Sequence, residues 1–184
     1  SDERDNVCQV DLWLEERGYI LVTLHRPSNV DDPDELRSLC EMLDSLTEYH
    51  PVVFPVHPRT LKMIESASPP FRSSAAFRMI EPAGYLDFLR MMKSASMVIT
   101  DSGGIQEETT VLGVPCVTVR ENTERPITIE KGTNVLAGTD PAKVRDAAVR
   151  ILKEGPRAHG IPPLWDGMTA RRIADVLEKK FPRH

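Results

Sequence analysis

The sequence predicts an α/β fold, a doubly wound parallel sheet of about six strands with helices on both faces. Three observations lead to it. Short apolar runs recur along the chain, separated by stretches of helical spacing. The runs are continuously apolar rather than alternating, as strands covered on both faces must be. Two helical stretches open on Asp-Pro, at Asp32-Pro33 and Asp140-Pro141, an N-cap followed by the helix position that best tolerates a missing N–H. Strand, helix and parallel strand in succession wind with a right-handed crossover, which lays the helices over the sheet.

Residues 1–18 read as a linker or preceding helix, with Val7, Val10, Trp13 and Leu14 near one face and Gly18 closing the segment. A single domain then runs over residues 19–184. Tyr19-Ile20-Leu21-Val22-Thr23-Leu24 is the first strand and delivers His25 and Arg26 to its C-terminal end. Asp32-Pro33-Asp34-Glu35 starts a helix to about residue 49, with Leu36, Leu39, Leu43 and Leu46 as its apolar stripe. Val52-Val53-Phe54-Pro55-Val56 is the second strand, ending at His57; Pro55 lacks a ladder donor and points to a sheet edge or a bulge.

Residues 59–66 have helical spacing, and Ser68-Pro69-Pro70 breaks the chain. Phe77-Arg78-Met79-Ile80 is the third strand, closing at Glu81-Pro82. A helix over 84–95 has Leu86, Leu89, Met92 and Ala95 on one side and leads to the fourth strand, Met97-Val98-Ile99-Thr100. Asp101-Ser102-Gly103-Gly104 then reads as a tight glycine turn from which a helix runs to near Gly113. Pro115-Cys116-Val117-Thr118-Val119 is the fifth strand and feeds a polar loop over 120–126; Asn134-Val135-Leu136-Ala137 is the sixth. Thr139-Asp140-Pro141 starts a helix to about 154, a Pro- and Gly-rich loop follows, and a last helix over 169–180 carries Ile173, Val176 and Leu177 on one face.

Composition narrows the function classes. A net charge of −5 argues against a nucleic-acid surface, because phosphate backbones are bound through excess Lys and Arg. Cys8, Cys40 and Cys116 are odd in number and widely spaced, so neither a disulfide framework nor a zinc site is expected, and a reducing cytoplasm fits. Apolar runs are too short to span a bilayer, so no membrane partner is expected, and residues 1–6 do not read as a signal peptide.

In sheets of this kind ligands sit outside the C-terminal ends of the strands, near the point where strand order reverses. That rule gathers His25-Arg26, His57, Glu81-Pro82, Asp101-Ser102-Gly103-Gly104 and Thr123-Glu124-Arg125 on one rim. A helix starting at Ser102-Gly103-Gly104 offers unpaired N–H groups and a positive dipole end to an anion, with phosphate the foremost candidate. The alternative is that Ser102 only caps the helix and the glycines only turn the chain. Neither G-x-G-x-x-G after the first strand nor G-x-x-x-x-G-K-[ST] is present, which disfavours a dinucleotide or a P-loop nucleotide.

Thr23-Leu24-His25-Arg26, Phe54-Pro55-Val56-His57-Pro58, Thr100-Asp101-Ser102-Gly103-Gly104-Ile105-Gln106-Glu107-Glu108, Thr123-Glu124-Arg125-Pro126 and Asp166-Gly167 occur in the order that characterises non-hydrolysing UDP-N-acetylglucosamine 2-epimerases, which this chain resembles from residue 19 to about 177. The resemblance implies a GT-B-like fold of two Rossmann-like domains facing across a cleft, with this chain as the C-terminal, UDP-binding domain and the N-terminal catalytic half absent. It implies interconversion of UDP-GlcNAc and UDP-ManNAc through elimination and re-addition of UDP, for cell-surface polysaccharide biosynthesis, without a cofactor or metal. The partners implied are UDP, a UDP-N-acetylhexosamine, the N-terminal domain and, for the full-length protein, a second copy in a homodimer.

By the same resemblance Ser102, Gly103 and Gly104 hold the diphosphate, Arg125 reaches the phosphates, and Glu108 accepts the ribose hydroxyls, a task suited to a carboxylate. His25 is the active-site histidine, donating a hydrogen bond to the leaving group or acting as an acid toward it. Phe88 lines the uracil pocket or belongs to the core, and Glu107 is structural or solvent-facing. Arg26 and His57 match contacts to a second, allosteric sugar nucleotide, but Ser28 stands where many members carry a glutamate. The carboxylates that move the C2 proton lie in the N-terminal domain, so the chain alone is expected to be inactive. Three alternatives stay open: the donor-binding domain of a GT-B glycosyltransferase, a hydrolysing epimerase, and a non-catalytic nucleotide-sugar-binding module.

Overall fold

The computed structural model describes residues 17–69, 71 and 73–181, so the helix expected over 7–16 lies outside the described residues. Every apolar run read as a strand is one: β1 (Ile20–Thr23), β2 (Val52–Pro55), β3 (Phe77–Ile80), β4 (Met97–Thr100), β5 (Cys116–Thr118) and β6 (Asn134–Leu136). They form one parallel sheet in the order β3-β2-β1-β4-β5-β6. The order reverses between β1 and β4, where Ile20 to Thr23 pair with Met97 to Thr100, and that is where a doubly wound sheet opens its ligand crevice.

The two-residue period of the strands divides the core into two layers. Ile20, Val22, Val52, Phe54, Met97, Ile99 and Val117 point to one face and pack on α2 (Pro33–Ser45), α3 (Pro58–Ser66) and α7 (Pro141–Glu154). Tyr19, Leu21, Val53 and Val98 point to the other, with Met92 of α4 (Tyr85–Ser94) and Ile105 and Leu112 of α5 (Gly103–Leu112). Each large side chain buried this way contributes about 1.5–3 kcal/mol. The strand ends are therefore held from both sides before any polar contact is counted.

The Asp-Pro starts behave as expected. Asp32 Oδ1 accepts from the N–H groups of Asp34 and Glu35, each at 2.9 Å, and Asp140 Oδ1 accepts from Ala142 at 2.9 Å. Two short helices that the sequence reading missed, α1 (Pro27–Val30) and α6 (Pro126–Glu130), also open on proline, but each is too short to show a helical period. The last helix, α8 (Thr169–Lys180), has the expected span.

Two expectations need correction. Pro55 marks neither an edge nor a bulge: β2 is interior, and Pro55 is its last residue. Val56 donates to Ile80 of β3, so the N–H missing at Pro55 faces β1 beyond the paired residues Ile20↔Val52 and Leu21↔Val53. On α4, Met92 and Ala95 are buried but Leu86 is 67% exposed. A row of every third residue slips around a helix of 3.6 residues per turn, carrying Leu86 off the face that Met92 occupies. On α8, Ile173, Val176 and Leu177 all stay exposed. What anchors the start of α8 is polar, an Arg172–Asp166 ion pair.

Candidate functional site

Thr23 and Thr100 end the two central strands side by side, and the residues that follow them are bound into one unit. Asp101 is fully buried. Its carboxylate accepts the backbone N–H of His25 at 3.1 and 3.2 Å, that of Arg26 at 2.9 Å and the amide of Asn29 at 3.0 Å. His25 Nδ1 stands 2.9 Å from Oδ1. Arg26 Nε donates back to the Asp101 carbonyl at 3.1 Å, and Asn29 Nδ2 also reaches the Val119 carbonyl past β5 at 3.1 Å. Asn29 Oδ1 is buried without a partner among the described residues. Turning that amide over would set its oxygen against the carboxylate, a worse arrangement than one unpaired acceptor.

Asp101 leads straight into α5. Ser102 is the N-cap, with φ −86° and ψ 131°, but its hydroxyl makes no capping bond; its N–H is held by Thr100 Oγ1 at 3.0 Å. Gly103 and Gly104 are the first residues of the helix itself and not the turn that was expected. Neither has a positive φ, in contrast to Gly113 at the end of α5, which has φ 70°. A Cβ at Gly103 would meet nothing nearer than Glu124 Oε2 at 4.0 Å, and one at Gly104 nothing nearer than Ser102 Oγ at 4.0 Å. Backbone conformation and packing thus leave glycine unexplained at both positions. Its effect is to bare the first N–H groups of the helix, where the dipole is positive, to an anion from outside.

Gln106, one turn further along α5, is fully buried and ties this turn to the Arg125 loop. Its Nε2 donates to the Ser102 carbonyl at 3.2 Å, while Oε1 accepts from Thr123 Oγ1 at 2.6 Å and Asn134 Nδ2 at 3.2 Å. Thr123 Oγ1 in turn accepts the Arg125 N–H at 3.0 Å, and Thr128 Oγ1 donates to the Arg125 carbonyl at 2.7 Å. Arg125 Nε lies 2.8 Å from Glu107 Oε1, close enough for an ion pair but without hydrogen-bond alignment. Glu107 is therefore the Arg125 partner in this state, the structural half of the expectation for it.

Above the glycines, Arg120 extends a fork to Glu124 with distances of 2.8 and 2.7 Å. Those hydrogen bonds hold the Glu124 carboxyl down at about 2. The guanidinium is nearly buried while the carboxylate is exposed, so Arg120 arrives at the rim already neutralised.

On the outer side of α5, Tyr85, Leu89, Glu108, Val111 and Trp165 line an open cavity of about 420 Å³. Its lining is largely apolar, and Tyr85 Oη is 3.4 Å from Glu108 Oε1. Phe88 is half-buried against the second core layer, and Tyr85 and Leu89 of the same helix form the cavity wall. His57 is exposed and caps α3, its Nδ1 accepting the Arg59 N–H at 3.2 Å. The structure thus unites His25, Arg26 and Ser102 through Asp101, and Arg125 with the glycine helix through Gln106. Asp101, Asn29, Gln106 and Thr123 drew no role from the sequence; the signal that could have found them is that each is a polar residue in the segment that directly follows an apolar strand run.

The sequence profile of the family described as UDP-N-acetylglucosamine 2-epimerase matches residues 2–178 of the chain. A UDP-N-acetylglucosamine 2-epimerase of Methanococcus maripaludis is 36% identical over 187 residues, which cover 98% of this chain and 50% of the relative. A UDP-2,3-diacetamido-2,3-dideoxy-D-glucuronate 2-epimerase of Pseudomonas aeruginosa is 37% identical over 163 residues, 88% of this chain and 45% of the relative. The crystal structure of Methanocaldococcus jannaschii UDP-GlcNAc 2-epimerase in complex with UDP-GlcNAc and UDP matches with a TM-score of 0.75 at 34% identity, over 96% of this chain and 49% of that one. The chain spans about half the length of the relatives it matches.

Proposed function

The chain belongs to the UDP-N-acetylglucosamine 2-epimerase family, and we propose that it is the UDP-binding half of an enzyme interconverting UDP-N-acetylglucosamine and UDP-N-acetylmannosamine. The observation that carries this reading is the pair of glycines at the start of α5, whose bare N–H groups serve no internal purpose. A diphosphate fits that demand, being an anion able to approach the backbone closely. Ser102 adds a hydroxyl, and Arg125 swings from Glu107 to the phosphates, for which its planar fork is suited. The uridine lies over the outer side of α5, with its ribose hydroxyls on Glu108 and its base toward Tyr85 and Trp165. Phe88 supports the uracil end of α4 from the core side.

In the reaction the C2–H proton is removed, the C1–O bond breaks and UDP departs, leaving a 2-acetamidoglucal. Return of UDP to C1 with a proton delivered to the opposite face of C2 gives the other epimer. As C1–O breaks, negative charge develops on the terminal phosphate oxygen. Fixed donors at that place act on the transition state, and removal of one such donor in comparable sites costs about 3 kcal/mol. His25 faces the same oxygen as hydrogen-bond donor or acid. Arg26 and His57 stay assigned to contacts with sugar or phosphate beyond the primary nucleotide.

The groups that act at C2 belong to the half of the relatives that this chain does not match. Alone, the chain binds UDP weakly and does not epimerise; turnover by the purified chain would refute that part. The whole enzyme works as a homodimer. One relative carries a diacetamido glucuronate in its name, which favours a second reading of the sugar: the nucleotide half is shared, and sugar choice lies with the other half. A calorimetric UDP titration tests the site, with Arg125→Ala and Glu108→Gln each weakening binding about tenfold or more, the worth of roughly 1.4 kcal/mol. Absence of binding by the unmodified chain at millimolar UDP removes the assignment.

A further inference from the structure

Asp101 makes more contacts than holding a loop requires. Three of them, from the N–H groups of His25 and Arg26 and the amide of Asn29, already pin the segment after β1 to the end of β4. The fourth, from His25 Nδ1 to Oδ1 at 2.9 Å, adds nothing to the backbone and acts only on the ring. All the other groups on the carboxylate are donors. Arg26 lies on the same loop, and Arg120 comes from the end of β5, its pKa raised first by the hydrogen bonds to Glu124 and to a smaller degree by the nearby Asp101 charge. Glu124, the remaining acid in this corner, is committed to Arg120. An ionised carboxylate accepts and never donates, so the hydrogen between it and the ring belongs to Nδ1.

We infer that Asp101 is a positioning residue for His25, fixing the imidazole with Nδ1–H on its carboxylate so that Nε2 is the nitrogen presented to the ligand. The hydrogen bond at one ring nitrogen sets the state of the other, and Nε2 has no partner among the described residues. Asp101 is fully buried whereas the His25 side chain is 58% exposed, so the anchored edge lies inside and the working edge outside. That the ligand is a diphosphate rests on the function proposed above. A diphosphate offers only acceptor oxygens, so with Nδ1–H already engaged the contact left to the ring is a hydrogen on Nε2 donated to oxygen. Replacing the Asp101 carboxylate by an amide would leave the ring free to turn and to carry its single neutral-state proton on either nitrogen, while the Arg26 Nε bond to the backbone carbonyl of residue 101 and the Asn29 bond to the Val119 carbonyl, which do not use the carboxylate, remain.

The tautomer is read directly from nitrogen-15 chemical shifts of the His25 ring in the ligand-free chain, at a pH where the ring is neutral. The expected result is a protonated Nδ1 and a bare Nε2, shifting toward a mixture in Asp101→Asn. A protonated Nε2 or an even mixture in the unmodified chain overturns the inference, and needs no variant to fold. A second measurement uses UDP with two replacements: the amide nitrogen of His25→Gln stands near the Nε2 position, and that of His25→Asn near Nδ1. Binding at least severalfold tighter in the Gln variant supports the inference, and equal or tighter binding in the Asn variant overturns it. If UDP fails to bind the unmodified chain, the functional reading falls alone, because the tautomer decides the positioning role without ligand.

Discussion

Replacing Gly103 by Ala separates a glycine needed by the fold from one needed by a ligand. In the structure the new methyl group meets nothing nearer than 4.0 Å, and the backbone there has no positive φ to strain. Alanine is also the better helix former, by up to about 1 kcal/mol in a helix interior and less at its first turn. Folding stability should therefore stay level or rise slightly, and since about 1 kcal/mol moves the Tm of a domain this size by roughly 2–4 °C, the thermal midpoint should change by no more than that. The same methyl group stands in front of the N–H groups that the diphosphate must reach. Lengthening one charged hydrogen bond beyond useful range costs about 1.5–3 kcal/mol, so UDP affinity should fall roughly 10- to 150-fold. Differential scanning calorimetry and UDP titration on the same preparation read both quantities. A large loss of stability would show that the fold needs the glycine, and unchanged UDP affinity would show that no ligand approaches there; either result refutes the reasoning.

The other predictions concern the groups that hold the rim. Gln106→Leu keeps the volume but deletes three side-chain hydrogen bonds at about 1 kcal/mol each, so urea unfolding should show a loss of about 2–4 kcal/mol at unchanged m, and a loss below about 1 kcal/mol would contradict the network. Glu124, lowered by its Arg120 bonds from 4.5 to about 2, contributes stability that is complete above its unfolded value and lost as pH falls through that interval. Urea midpoints between pH 4.5 and 2 should therefore decline less steeply in Glu124→Gln than in the unmodified chain; identical declines would mean the ion pair has no linkage to folding. Cys40 and Cys116 are buried, which raises their thiols to about 12 and about 11, so a thiol reagent should modify both only on unfolding. Fast labelling of either in the native protein would argue against the core as described.

The alternation of apolar runs and capped helices was enough to place all six strands and the long helices, because burial on both faces and an Asp-Pro start are local signals carried by the residues themselves. The motif series was likewise enough for the family. Where the reading strayed, the reason was a partner distant in sequence. Pro55 looked like an edge residue until strand order put its missing donor past the end of the β1 ladder. Leu86 was grouped on one side with Met92, which is buried while Leu86 is exposed, because spacing along a helix does not say how the helix is rolled against the sheet. Ser102-Gly103-Gly104 could be read from its residues as the start of a helix, with an anion seat and a plain capped turn both left open. Only the tertiary structure moved the glycines into the helix, brought Asp101 onto His25 across a separation of 76 residues, and let Gln106 join the start of that helix to the Arg125 loop. A side-chain hydrogen bond between strand ends leaves no periodic trace in the sequence, since it depends on which strands are neighbours, and that is decided when the sheet assembles.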